Sequence, residues 1–399
     1  MTFVPSTLTL IGRDLPLFDA DITANATALN DVVAHASFLV LGGAGSIGQA
    51  VVKEIIQRRP KKIHVVDISE NNLVELVRDI RSQYGDIGES FKTYALDIGS
   101  TEFDAFFDHD GHYDYLVNLS ALKHVRSEKD PYTLMRMLNV NIFNTQKTLK
   151  LAINKNIKHY FCVSTDKAAD PVNVMGASKK IMEWVLMQYS KKISISTARF
   201  ANVAFSDGSL LCGFEHRLRK KQPIVAPNDI QRYFLTPEEA GQLCLMACIF
   251  GKNRELYFPL PSDNMALTTF PEIAKNVLKA HGYHVHSCTS EDDARQLIKT
   301  LPQQGKWPCL FNESNTTGEK PIEQFYTDTE TPEYSTYKTI GILHNSATVN
   351  TEHLNIFEQT ISALQLRGQW TKNDILAAIT TLLPTFKHYE TGQHLDSKM

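Results

Sequence analysis

The chain has 399 residues, of which 43% are hydrophobic and 21% charged, and carries a formal net charge of −3. That composition fits a globular protein with one large core and a second, smaller lobe, and the absence of a basic block disfavours nucleic acid or an anionic membrane as partner. No run of about 18 apolar residues marks a transmembrane helix, and the N-terminus lacks the basic and apolar regions of a signal peptide, so a cytoplasmic location is expected.

Residues 1–36 precede the first core strand. T-A-L-N-D-V-V-A-H-A has helical spacing, and Leu8, Leu10, Leu15 and Phe18 before it are placed to anchor a cap on the main domain. Ser37 to Leu41 reads as a short buried strand, followed by Gly42-Gly43-Ala44-Gly45-Ser46-Ile47-Gly48 and the helical V-V-K-E-I-I. A glycine-rich turn between strand and helix allows a tight bend, close backbone approach to a pyrophosphate, and N–H donors at a helix start. The next strand, I-H-V-V-D, ends at Asp67, nineteen residues beyond Gly48, where a carboxylate can hold ribose hydroxyls. The turn alone is a weak signal; with Asp67 it reads as a dinucleotide site.

T-Y-A-L-D-I is a third strand, ending in Asp97 and Ile98, and Y-L-V-N-L a fourth, followed by Ser120-Ala121-Leu122-Lys123-His124-Val125. Lys123 and His124 are either solvated loop residues or ligand contacts, and their place at the carboxyl end of a strand favours the second reading. Asn139-Val140-Asn141 opens the helix behind them.

The stretch from Phe161 to Lys180 organises the chain. Its strand stops at Ser164, Thr165, Asp166 and Lys167, Pro171 breaks the backbone, and a helix begins near Val174 with Met175 and Lys179 one turn apart on one face. Hydroxyl, carboxyl and ammonium groups are thereby expected to converge. After another strand, Ile195 to Phe200, come Ala201-Asn202-Val203, Ser206-Asp207-Gly208-Ser209, Arg232-Tyr233-Phe234 and a capped helix at Thr236-Pro237-Glu238-Glu239.

Residues 284–311 read as strand, helix with Ser290 as cap, and strand. His284 and His286 would share a strand face, and without a third ligand they read as ordinary surface. Gly318-Glu319-Lys320-Pro321 follows, and two amphipathic segments after residue 350 suggest terminal helices before a polar, frayed tail beyond Lys387. Six cysteines form no C-x-x-C pair; Cys244 and Cys248 read as helix core, and a reducing compartment fits. No metal site is expected.

The sequence resembles the extended short-chain dehydrogenase/reductase family, on G-x-x-G-x-x-G at 42–48 and on a strand-end hydroxyl with a helix lysine, Thr165 and Lys179. T-D-K followed by N-V-M-G-A-S-K resembles one subgroup, the nucleotide-sugar 4,6-dehydratases of bacterial surface-polysaccharide synthesis, in the type with Met175 at the tyrosine position. The resemblance covers roughly residues 37–327. It implies an α/β fold, a Rossmann-like doubly wound parallel sheet with a smaller C-terminal α/β substrate lobe: a cap at 1–36, an NAD-binding domain at 37–200, a mainly substrate-binding lobe at 201–345 and C-terminal helices at 346–399. It implies NAD held by Gly42, Gly45, Ser46, Ile47, Gly48, Asp67, Asp97, Ile98, Ala121 and Lys179, with Asp97 and Ile98 at the adenine.

The same resemblance implies UDP-N-acetylglucosamine or a close analogue as substrate, contacted by Lys123, His124, Asn202, Ser209, Arg232 and Glu319, and a homo-oligomer. The catalytic residues it implies are Thr165, Asp166 (acid for the leaving C6 hydroxyl), Lys167 (base for C5), Met175 and Lys179, with C5 configuration retained. Two departures stand out. Ala201 replaces a glycine, which would matter if that position needs a positive φ, and N-T-T-G-E-K lacks an upstream arginine, which leaves the nucleotide base open. Epimerisation or reduction on the same fold, and a non-catalytic NAD-binding regulatory subunit, are the other readings.

Overall fold

Six strands, β1 (Ser37–Leu41), β2 (Lys62–Asp67), β3 (Phe91–Ala95), β4 (Tyr115–Asn118), β5 (His159–Thr165) and β6 (Ser194–Phe200), lie parallel in the order β3-β2-β1-β4-β5-β6. The computed structural model describes residues 6–262, 264–345 and 349–393. Strand Glu255–Pro259 extends the sheet parallel to β6, and Ile340–His344 and Pro332–Glu333 finish that edge antiparallel. The large sheet therefore draws three strands from residues beyond 201.

β1 is buried at all five positions and β5 at six of seven, because helices cover both faces. Helices Ser46–Ile56 and Pro237–Phe250 bury Val51, Val52, Ile55 and Leu243 on one face. Helices Thr101–Asp110, Asn144–Asn154 and Val174–Tyr189 bury Phe103, Phe107, Leu149, Ile181 and Val185 on the other, where Leu354, Phe357, Ile375 and Ile379 of the two terminal helices join them. This is the expected doubly wound α/β architecture. Chain order reverses between β1 and β4, and the crevice at their carboxyl ends is where such sheets bind ligands.

A smaller sheet of three parallel strands, His284–Ser287, Lys306–Asn312 and Ile224–Pro227, packs with helices Leu210–Arg219 and Phe270–Ala280 around Phe214, Ile273, Val277 and Trp307. The N-terminal segment ties both parts together. Leu10 and Ile11 enter the small core, Arg13 and the Leu17 N–H reach Glu239, and Asp21 accepts the Lys338 and Thr339 N–H groups. Among the described residues no helix is long and apolar enough to cross a membrane.

The tail corrects an expectation. As far as Gln393 it does not fray but is hydrogen-bonded at backbone level, with Tyr389 N–H to Val172 O at 3.0 Å, Gly318 N–H to Tyr389 O at 2.9 Å and Thr317 N–H to Gln393 O at 3.0 Å; the rest of the expected tail, 394–399, lies outside the described residues. Polarity marked it as mobile, but backbone groups of a distant loop complete its bonding.

Candidate active site

The glycine-rich turn sits at the chain reversal. Gly42 has φ +71°, and a Cβ there would lie 2.7 Å from the Ser120 nitrogen, so only glycine lets the β1 and β4 loops close together. A Cβ on Gly48 would fall 2.3 Å from the Gly42 oxygen, which explains how the helix start packs on the turn. Gly45, the helix N-cap, has no such crowding (its nearest neighbour would be 3.8 Å away), leaving the backbone open to a ligand. Asp67 Oδ2 accepts the Ala44 N–H and Oδ1 that of Ser69, both at 2.9 Å, so the carboxylate borders the turn. This arrangement fits a dinucleotide. Ser46 differs: its hydroxyl accepts the Asp207 N–H at 2.8 Å, tying the turn to the 206–209 loop. Asp97 is exposed and caps Gly99, beside buried Ile98.

At the end of β5, the Thr165 hydroxyl donates to Asp166 Oδ1 at 2.8 Å, and the same oxygen accepts the Lys167 N–H at 2.8 Å and Nζ at 3.2 Å. Asp166 is 5% exposed, so its charge is met by protein rather than water. The following helix starts at Val174 as the sequence predicts, capped by Asn173. Gly176 follows Met175 because a Cβ there would strike the Lys167 carbonyl oxygen at 2.5 Å. That contact brings the helix onto the Asp166–Lys167 turn. Lys179, 4% exposed, donates to Val163 O at 3.1 Å, and burial pulls its pKa below the ordinary lysine value against the opposing pull of Cys162 and Glu183. Met175 is buried, its N–H held by Glu128 Oε1 at 3.0 Å, and Glu128 Oε2 meets His388 of the tail at 3.0 Å.

Asn141 lies in a π-helical turn, Asn139–Phe143, and bonds both the N–H and the C=O of Leu122 as well as Ser178. It ties the Ala121–His124 segment to Ser178 of the Val174–Tyr189 helix. Lys123 reaches Ser206 at 3.4 Å, and His124 lies against Gly208, where a Cβ would come within 2.8 Å of the ring.

The remaining substrate candidates divide. Asn202 Oδ1 accepts from Lys167 Nζ at 3.4 Å and so joins the Thr165–Lys167 group. The Ser209 hydroxyl serves as N-cap of the next helix, accepting from Cys212 N–H. Arg232 is buried, donating to Pro321 O at 3.0 Å and to Glu319 Oε2 at 3.1 Å. Ala201 needs no positive φ, and the left-handed residue of that loop is Phe205 at φ 54°.

Sequence reasoning missed Glu323. It is 5% exposed and sets Oε1 3.7 Å from Lys167 Nζ, opposite Asp166. Burial alone would lower the Lys167 pKa, but Asp166 and then Glu323 outweigh it and hold the ammonium above its ordinary range. Glu323 itself is pushed up by burial, helped by Asp166 and opposed by Lys167. No periodicity marks an acid in a loop just past Pro321; its nearness to G-E-K was the only signal. Arg199 was missed too. Fully buried, it binds Glu183 and Glu330 with paired bonds of 2.8–2.9 Å and Phe325 O at 2.8 Å, fastening the segment that carries Glu323 to the sheet.

Residues 38–341 match the sequence profile of a family described as polysaccharide biosynthesis protein. The chain belongs to that family. It is similar to an uncharacterized membrane protein of Methanocaldococcus jannaschii, 32% identical over 55% of this chain and 65% of the relative. It is also similar to the probable polysaccharide biosynthesis protein EpsC of Bacillus subtilis, 25% identical over 75% and 49%, and to the UDP-glucose 4-epimerase of Rickettsia prowazekii, 25% identical over 72% and 88%. The chain spans between about half and two thirds of the length of the first curated relatives it matches. The solved structure of Pen from Bacillus thuringiensis superposes with a TM-score of 0.61 at 22% identity, covering 79% of this chain and 89% of that one, which shows a shared fold.

Proposed function

We propose that this family member is an NAD-dependent 4,6-dehydratase acting on UDP-N-acetylglucosamine or a close analogue, for surface-glycan sugar synthesis, with C5 configuration retained. One observation carries the reading: a carboxyl and an amine, Asp166 and Lys167, share a proton-transfer distance of 3.2 Å beside Thr165 at the end of β5. A nicotinamide cofactor would supply an acceptor and donor of hydride, held by Gly42, Gly45, Ser46, Ile47, Gly48, Asp67, Asp97, Ile98, Ala121 and Lys179.

Once C4 is a ketone, the C5 proton is acidic. Moving one proton from the Lys167 ammonium to Asp166 leaves an amine and a carboxylic acid without any outside proton. The amine then takes the C5 proton and the acid gives its own to the departing C6 hydroxyl, which leaves as water. The ammonium–carboxylate pair is restored at the unsaturated ketone; Lys167 then returns a proton to C5 as C6 takes up hydride, and the proton taken earlier from the C4 hydroxyl refills the pair, so the net loss is one water. Thr165, in the place where Met175 cannot act, takes or relays the C4 hydroxyl proton with Lys179 alongside. Lys123, His124, Asn202, Ser209, Arg232 and Glu319 surround the substrate, with Arg232 suited to a diphosphate once released from Glu319.

The epimerase name of one relative supports a second reading. Epimerisation at C4 expels no hydroxyl and has no use for the Asp166–Lys167 pair, which favours dehydration. Mass spectrometry after incubation with UDP- and GDP-N-acetylglucosamine tests this: dehydration removes one water, whereas an isomer of unchanged mass would establish epimerisation. Asp166→Asn and Lys167→Ala should keep NAD binding and lose turnover by ~10²–10⁴-fold.

A further inference from the structure

A cavity of about 490 Å³ is lined in part by Glu319, the partner of Arg232, and lies in the size range of small-molecule sites. Ile230, Val172 and Pro321 give it apolar walls, and Ser314, Asn315 and Thr316 bring hydroxyl and amide groups to it. Asp229 and Lys320 add a charge of each sign, and the tail contributes Lys387, His388 and Tyr389, which lie outside the residues matched by the family profile. These tail residues are not loosely placed. Tyr389 bonds Val172 through its N–H and Gly318 through its C=O, and His388 is held by Glu128. The Tyr389 side chain is left 57% exposed at the rim. A large aromatic surface kept open by a fixed backbone, beside apolar walls and short polar groups, is what a flat heterocycle with exocyclic polar atoms requires.

We propose that the C-terminal tail completes the nucleoside subsite, with the Tyr389 ring covering the base of a nucleoside diphosphate whose phosphates run back toward Arg232. This rests on the nucleotide-sugar reading above and adds to it a wall supplied by residues 387–389. Lys387 brings a positive charge to the same rim, complementary to the diphosphate. The tail thereby links base recognition to the catalytic helix, because His388 and the Met175 N–H share the carboxylate of Glu128.

The test is calorimetric titration of UDP and GDP, without sugar, into the full chain and into Tyr389→Ala and Tyr389→Phe, with NAD titrated in parallel. Loss of a base-stacking ring should weaken the better-bound nucleotide by about fivefold or more in Tyr389→Ala, and the phenylalanine variant should restore it. NAD affinity should not move. Unchanged UDP and GDP affinity in Tyr389→Ala would overturn the proposal, as would a joint loss of nucleotide and NAD binding, which would make the tail a folding element. The two readings separate cleanly: Tyr389-dependent nucleotide binding without water loss upholds the tail subsite and rejects the dehydratase, whereas water loss with an unaltered KM in Tyr389→Ala does the reverse.

Discussion

Glu323 holds a carboxylate oxygen 3.7 Å from the Lys167 ammonium, which lies 3.2 Å from Asp166 Oδ1. One cation is thus shared by two buried carboxyl groups, and Glu323 is pushed toward its neutral form by burial. Both acids raise the Lys167 pKa against burial, so the pair keeps the proton that Asp166 passes to the leaving hydroxyl until pH rises through that raised value. Glu323→Gln removes one of the two acids and should lower the Lys167 pKa. The alkaline fall in turnover should then begin at lower pH than in the unaltered protein. A pH–rate profile that is superimposable for the two proteins would show that Glu323 does not set the charge of Lys167.

Asp67 offers a second check. Its two oxygens already accept backbone N–H groups of Ala44 and Ser69, yet a carboxylate has room for further donors such as ribose hydroxyls. A 2′-phosphate would instead meet like charge, a repulsion of about 1–4 kcal/mol per unit charge at 4 Å. NAD should bind at least about tenfold more tightly than NADP. Asp67→Asn should narrow that gap, and fluorescence titration of both cofactors measures it. Tighter NADP binding by the unaltered chain would overturn the role given to Asp67.

Arg199 bears on stability. It is fully buried between Glu183 and Glu330, and its removal strands two carboxylates without their partner. Arg199→Leu should cost about 3–5 kcal/mol, read from denaturant midpoints. Burial works against ionisation of Glu183 and Glu330, but Arg199 outweighs it and holds both carboxyls below their ordinary range. Folded-state values that lie below the unfolded ones stabilise the fold above about pH 4, and that contribution is lost as pH falls through the folded values. The variant should therefore show a shallower acid dependence. A destabilisation under 1 kcal/mol would mean the triad contributes little.

The sequence and the structure agree best where a local rule governs the outcome. Apolar strands ending in polar residues, the glycine turn and the Val174 helix start follow from periodicity, caps and sterics, so β5, Thr165, Asp166, Lys167 and Lys179 lay where the residues implied. Glu323, Arg199 and the tail were illegible for a shared reason. Each acts through partners more than a hundred residues away or on loops, as Lys167 with Glu323 and Tyr389 with Val172 do, and no spacing encodes such contacts. Ser46 and Ser209 show the converse: their hydroxyls are polar groups at the right place, yet they are spent on Asp207 and Cys212 backbone N–H groups.

Met175 bears on the stereochemistry of the product. It occupies the first turn of the catalytic helix, buried, with its backbone N–H fixed by Glu128 one turn before Lys179. A tyrosine there could hand a proton to the ring face opposite Lys167, and a thioether has no proton to give. On the proposed mechanism Lys167 takes the C5 proton and, with no donor at position 175, gives one back to the face it left. Reprotonation should therefore return C5 to its starting configuration, with solvent deuterium incorporated on that same face. Proton NMR of the 4-keto-6-deoxy product formed in deuterated buffer reads this from the ring couplings. A product dominated by the C5-inverted sugar would show that an acid other than the one Met175 displaces reaches the opposite face.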